Sequence, residues 1–318
     1  MTLLDKTVPV AATVDTGSSG GRPARRRRRQ HDDGLPVGHH RSRFSQLLVL
    51  AGLALFALYS VAPVWWLLVS ATKDQQGLLY SNGLWFSDFR LFENIETVLT
   101  YNDGIFVRWL LNTLLYAGVG GFACMLVSVA AGYALSRFDF PGRRFGMALV
   151  VGSFLLPGAL LTLPMYLLFT EIGLVDTAWA VLIPTVISPF SVYLAKIYVD
   201  GAVPEELIEA ARIDGAGELR IFFTIVLRLM TTGAATVFLL AFVHSWNGFF
   251  LPLTMLQGED KWTLSVGLFA WNAKRTSTEV DLSALVLTGA LLSVIPLAIF
   301  MIAMQRYWKS GVTLGALK

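Results

Sequence analysis

The chain has 318 residues, of which 55% are hydrophobic and 15% charged; mean hydropathy is +0.60 and the formal net charge +3. This balance excludes a water-soluble domain, because several stretches approach the ~20 apolar residues needed to cross a bilayer. One cysteine, Cys124, excludes an internal disulfide and reads as a small packing residue within a span.

Residues 1–46 are rich in Gly, Ser, Pro and Arg and hold the basic run Arg25 to Arg29. Such a segment cannot bury enough apolar surface to order itself, so a disordered basic tail is expected. The run suits anionic membrane lipid; no aromatic residues interleave with it, which argues against nucleic acid. It is not a cleaved leader, since a full-length apolar span follows without a small-residue cleavage pattern.

Six spans are predicted, at about 47–70, 109–134, 147–169, 178–198, 230–256 and 283–304. Between the first two, Leu91, Ile95, Val98 and Leu99 recur at helical spacing, with Glu93 and Glu96 on another face. This predicts a short amphipathic helix lying at the membrane surface, with partner contact as the alternative. The second span carries Ala117, Gly118, Gly120, Gly121, Ala123, Ala130, Ala131 and Gly132, small residues that place it inside a bundle. Pro157 and Pro164, then Pro184 and Pro189, then Pro296 interrupt the third, fourth and sixth spans. Bends at these prolines either set a fixed shape or line a path.

The connecting loops decide orientation. Nineteen Lys and Arg residues fall in 1–46, 136–146, 196–229 and 305–318, against six in 71–108, 170–177 and 257–282. The positive-inside rule therefore puts both termini in the cytosol. Trp65, Trp66, Trp109, Trp179, Trp262 and Trp271 are expected at the outer interface, and Tyr307 and Trp308 at the inner one.

The loop 196–229 is the long cytosolic connection. Pro204 suits the first position of a helix, and Glu205, Glu206 and Glu209 favour the positive end of its dipole. Glu209 and Arg212 are spaced to pair, and Gly215 is the expected left-handed stop. Gly217 adds a second break, after which a further helix starts near Glu218. A sharply capped helix presented this way suits a groove on a soluble partner, although an ordinary amphipathic loop helix would look the same. In the fifth span, His244, Trp246 and Asn247 place hydrogen-bonding groups and an aromatic face within an apolar helix. They either line a sugar path or bond to neighbouring helices.

No Gly-x-x-x-x-Gly-Lys-Ser/Thr phosphate loop occurs, so any ATP must be handled elsewhere. His31, His39 and His40 lie in the tail and His244 is isolated; no metal spacing or Ser/His/Asp grouping stands out. No catalytic residue, metal or cofactor is expected in this chain.

The run Pro204 to Ala216 resembles the EAA loop of the membrane subunits of bacterial ABC importers. That pattern is Glu-Ala-Ala, three residues, Gly, nine residues, then Ile-x-Leu-Pro. The match holds through Ile225 and Leu227, and Arg228 stands where the proline would be. Ala131 to Phe138 before Phe140-Pro141-Gly142, then Trp246-Asn247, and the ending Gln305-Arg306-Tyr307 through Gly311 to Ala316 resemble the carbohydrate branch, the maltose-type second permease.

The resemblance covers about 60–318; with the predicted spans it implies an all-α polytopic permease domain at 47–318 in a bacterial inner membrane, with a coupling loop at about 200–228. It implies a homologous permease as sister, two cytosolic ATPase subunits that hold ATP and Mg, an external solute-binding protein and a sugar substrate. Glu209, Ala210, Ala211, Asp214 and Gly215 would meet the ATPase, and alternating access would follow its cycle. The alternatives are an ABC permease for another small solute and a stand-alone secondary transporter. The span interiors offer the latter almost no ionisable residue.

Overall fold

The computed structural model describes residues 43–153, 155–274 and 282–315, and among them every regular element is helical. Arg25 to Arg29, His31, His39 and His40 lie outside the described residues. Helix α1 (Arg43–Ala71) includes residues 43–46, which the sequence reading assigns to the tail. Two compact units are distinguished, Met1–Leu55 and Phe56–Lys318. The described part of the first is the opening of α1, whose described side chains are all exposed. The second holds all the other helices.

A short α2 (Gln75–Tyr80) follows, capped by Asp74, which accepts from the Gly77 N–H at 2.7 Å. Next comes α3 (Leu91–Arg137), the central element of the fold. It is interrupted where Asn102, Asp103 and Gly104 all take positive φ. Short polar side chains and glycine are the residues that tolerate this conformation. The part before the break is the amphipathic segment predicted from Leu91, Ile95, Val98 and Leu99. Val98 is fully buried, in a cluster with Phe106, Trp109 and Trp271, so this segment packs on the protein through that residue. Leu91 and Ile95 are half-buried and Leu99 is exposed.

The third predicted span is two helices, α4 (Arg143–Ser153) and α5 (Gly158–Glu171), bent by 106° ahead of Pro157 and Gly158. The fourth is α6 (Trp179–Val186) and α7 (Pro189–Ala202). Ser188 caps α7 and Pro189 opens it, a position where the missing proline N–H leaves no orphan. Between the fourth and fifth spans lie α8 (Glu205–Ile213), α9 (Glu218–Ile221), a π turn (Phe222–Val226) and α10 (Leu227–Leu229). The chain then bends by 84° into α11 (Thr231–Trp246), with the turn made at Met230.

The predicted fifth span, 230–256, is too long. Residues 247–249 interrupt it, and α12 (Phe250–Met255) is a separate helix. A 3-10 turn (Glu259–Lys261), α13 (Leu264–Lys274) and α14 (Leu282–Gly315) complete the chain. Among the described residues four helical stretches are long and apolar enough to cross a membrane, or up to six if each bent pair counts as one.

Small residues explain why α3 is central. A Cβ on Gly132 would sit 2.7 Å from the backbone nitrogen of Lys196 in α7, and one on Gly121 would sit 3.2 Å from that of Phe242 in α11. Glycine permits the close backbone approach that holds bundles together where the hydrophobic effect cannot. Cys124 is fully buried there, as its packing role predicts.

The tryptophan belt is partly a core. Trp65, Trp66 and Trp179 are exposed, but Trp109 and Trp271 are buried, 4.9 Å apart between ring centroids. The indole N–H of Trp109 donates to the Glu259 carbonyl at 2.8 Å, so its polar tip is satisfied within the protein.

Candidate functional site

Helix α8 is short and two-faced. Pro204 is its N-cap with extended backbone (ψ 139°), one position earlier than the sequence predicts. Ile208 is 1% exposed and packs among Val199, Val203, Ile221, Phe222 and Val226. Burying that one side chain contributes about 1.5–3 kcal/mol, enough to hold a nine-residue helix that would not persist alone. Glu209, Ala210, Asp214 and Gly215 face outward, and Ala211 is half-buried against the same core.

The helix stops at Gly215, φ +80°. The Ala216 N–H donates to the Ala211 carbonyl at 2.9 Å and the Gly215 N–H to Arg212 at 3.0 Å. This is a Schellman stop, with Ala211 and Ala216 both packed against the core. A Cβ on Gly215 would meet nothing within 4 Å, so glycine is required there by conformation alone.

Arg212 does not pair with Glu209, as the spacing predicts. The Schellman stop brings the chain back so that Arg212 Nε reaches Glu218 Oε1 at 2.7 Å. Glu218 Oε2 also accepts from the Tyr133 hydroxyl at 2.8 Å, and the guanidinium lies 5.4 Å from the Phe138 ring centroid. The Glu218 hydrogen bond is the main reason the Arg212 guanidinium is held above its usual range. Sequence spacing alone could not find Glu218, because the pairing depends on a left-handed residue between the partners.

The fifth-span residues separate. Trp246 is buried and stacks on Phe242 at 5.7 Å and 20°, within the core of α11 and α14. His244 and Asn247 are exposed and line a cavity of about 610 Å³. Asn247 Nδ2 donates to its own helix at the Val243 carbonyl, 2.9 Å away. Gly158, Thr162, Pro184, Ile187 and Phe249 also line this space. Three helix breaks therefore meet at one cavity: before α5, between α6 and α7, and after α11. Its size falls within the 300–1,000 Å³ usual for small-molecule sites. A wider crevice of about 950 Å³ lies near the end of α3, beside Asp139, Arg143, Arg144 and Lys196.

A family model described as "binding-protein-dependent transport system inner membrane component" matches residues 125–313, which include α8 and the cavity. The chain belongs to that family. As a binding-protein-dependent permease it is a multi-pass inner-membrane component rather than an enzyme, and ATP hydrolysis falls to a partner subunit.

The permease is 33% identical to the arabinooligosaccharides transport system permease protein AraQ of Halalkalibacterium halodurans, over 85% of this chain and 96% of that one. It is 29% identical to the lactose transport system permease protein LacG of Rhizobium radiobacter, over 87% and 98%. In fold it matches a chain from the crystal structure of a bacterial ABC transporter involved in the import of the acidic polysaccharide alginate. There the TM-score is 0.74 at 23% identity, covering 86% of this permease and 99% of that chain.

Proposed function

We propose that this permease is one half of the translocation path of an ATP-driven importer for a sugar or oligosaccharide, with α8 as its contact to the ATPase. The observation that carries the reading is α8 itself. Its apolar side is fixed to the permease core through Ile208, while Glu209, Ala210, Asp214 and Gly215 are presented outward. A rigid, sharply ended helix with a free face is what a groove on a soluble subunit can grip and push.

The rest of the assembly follows from that contact. The sister subunit is a homologous permease, two ATPases sit in the cytosol, and a solute-binding protein delivers from outside. Six spans with both termini cytosolic put α8 on the ATPase side. The basic residues near it, Arg137, Arg143, Arg144, Lys196, Arg220 and Arg228, support this orientation. The names of the relatives, which transport arabinooligosaccharides and lactose, favour a carbohydrate.

His244 and Asn247 are the proposed solute contacts, since both present hydrogen-bonding groups to the cavity where the helices break. Trp246 has no place in that contact, because its ring is committed to Phe242.

Affinity purification from the native membrane should yield a second permease, an ATPase and a binding protein whose bound ligand is a sugar. Recovery of the chain as a lone, ATPase-free transporter would refute the reading. In reconstituted importer, His244→Ala with Asn247→Ala should raise the solute concentration for half-maximal import roughly tenfold, about 1.4 kcal/mol, while the ATPase stays bound. Unchanged import would remove these residues from the path.

A further inference from the structure

Both ends of the segment that carries α8 are fastened to one place, the last turn of α3. At the entry, Ser136 Oγ donates to Asp200 Oδ1 at 2.5 Å, and the other Asp200 oxygen takes the Lys196 ammonium at 2.5 Å. Arg137 donates from one guanidinium nitrogen to the carbonyls of Val199 and Val203, at the point where α7 gives way to α8. At the exit, Tyr133 holds Glu218, which holds Arg212 on α8, and Arg212 faces the Phe138 ring. Tyr133, Ser136, Arg137 and Phe138 are thus the only stretch of α3 that touches both sides of the docking helix through polar or cation–π contacts among the described residues.

The geometry points to a role for that turn. We propose that Glu218 is a positioning residue, and that the Arg212–Glu218–Tyr133 chain passes the displacement of α8 to the central helix α3. This rests on the reading of α8 as the ATPase contact.

The argument is mechanical. A push on α8 can be absorbed by the flexible turn around Gly215 and Gly217, or it can be passed on. The Glu218 carboxylate closes that turn, joining a side chain before it (Arg212) to a helix outside it (Tyr133). With the bridge in place, α8 and the end of α3 must move together. Motion of α3 then reaches the rest of the bundle, because α3 packs against α6, α7, α11, α13 and α14. Without the bridge the turn yields. A charge-assisted contact of this kind is among the stronger hydrogen bonds available at a partly exposed site, and a coupling free energy is what it would supply.

The test uses the assembled importer in proteoliposomes, with solute imported per ATP hydrolysed as the readout. Glu218→Ala should keep the ATPase bound but lower that ratio about tenfold, within the usual range for coupling between sites. Glu218→Gln keeps an acceptor and should fall between. The exchange Arg212→Glu with Glu218→Arg should recover part of the loss. An unchanged ratio in Glu218→Ala overturns the proposal. So does a parallel loss of complex yield, ATP hydrolysis and import without rescue, since that marks a merely structural role.

A second measurement leaves the chain of contacts intact. With spin labels at Glu206→Cys and Phe140→Cys, the distance between α8 and the end of α3 should be the same with and without ATP. A distance that changes on ATP binding overturns the proposal. The two levels of the reading fail differently. If the ATPase never touches α8, docking is wrong and this inference falls with it. If it docks there and Glu218→Ala stays coupled, only the inference falls.

Discussion

The part of α3 that follows the 102–104 break is held in contrasting ways at its two ends. At the α8 end, Tyr133, Ser136 and Arg137 meet ionised partners or main-chain carbonyls beside them: Glu218, Asp200 and the end of α7. At the opposite end the side chains α3 contributes are neutral. Trp109 donates to the Glu259 carbonyl, Asn112 to Asp260 and Trp262, and Tyr116 to Lys261, while Thr113 Oγ1 accepts the Leu264 N–H. Of these, the Thr113–Leu264 bond is buried, and it sits beside the fully buried Trp109 ring; breaking a buried bond is costly because it leaves an unpaired group behind. The Arg212–Glu218 and Lys196–Asp200 pairs instead tie the end of α3 to the segment that carries α8. The Trp109 end is therefore the fixed one, set by buried packing around that ring, and the other is the working end, tied to α8.

The largest effect should come from the fixed end. Trp109→Ala removes a fully buried indole whose ring fills the space beside Gly267, where a Cβ would lie 2.1 Å from it. A loss of roughly 3–5 kcal/mol is expected, read as a collapse in thermal stability of the purified importer. A near-normal melting temperature would mean this end is not the rigid one.

Gly215→Val tests the working end. It forces a β-branched residue into φ +80° with no clash to blame. Strain of about 1–3 kcal/mol should blunt the stop and uncouple hydrolysis from import, with insertion into the membrane unaffected. Ordinary import by this variant would mean the sharp end of α8 has no mechanical use.

The smallest effect concerns Asp176, which fastens the loop before α6 to the loop after α12. Its carboxylate accepts from the N–H groups of Gln257 and Gly258 at 2.9 Å and pairs with Lys261 at 2.5 Å. The Gly258 N–H, followed by Lys261, holds the acid below its usual range. Because the folded form favours the carboxylate, its contribution is present above the ordinary value and is lost as pH falls through the lowered one. Wild-type importer should thus lose its stability margin over Asp176→Asn as pH drops below about 4. A margin that persisted or grew on acidification would contradict the pairing.

How much of this was legible in the sequence depended on whether the signal was local. The α8 stop was, because Gly215 in a left-handed cap is a property of one residue and its neighbours. The central place of α3 was legible from Gly121 and Gly132, since small residues advertise close approach. The Arg212–Glu218 pair was not, because i, i+3 spacing offered Glu209 and only the folded turn brings Glu218 near. The burial of Trp109 and Trp271 within the protein was not legible either, for a similar reason. Hydropathy cannot tell an indole facing headgroups from one facing the Glu259 carbonyl. The break after the first part of α3 had a signal that went unused, the run Asn102-Asp103-Gly104. The convergence of three breaks on one cavity is a tertiary fact that no single proline or glycine announces.

The central claim is that a partner's ATPase works this permease through α8. A photo-reactive side chain at Ala210, exposed on that helix, puts the claim to the most direct test in the assembled, membrane-embedded importer. The account predicts a cross-link to the ATPase subunit, lost when the ATPase is stripped away. Efficient ATP-driven import with no ATPase cross-link from this position would contradict it.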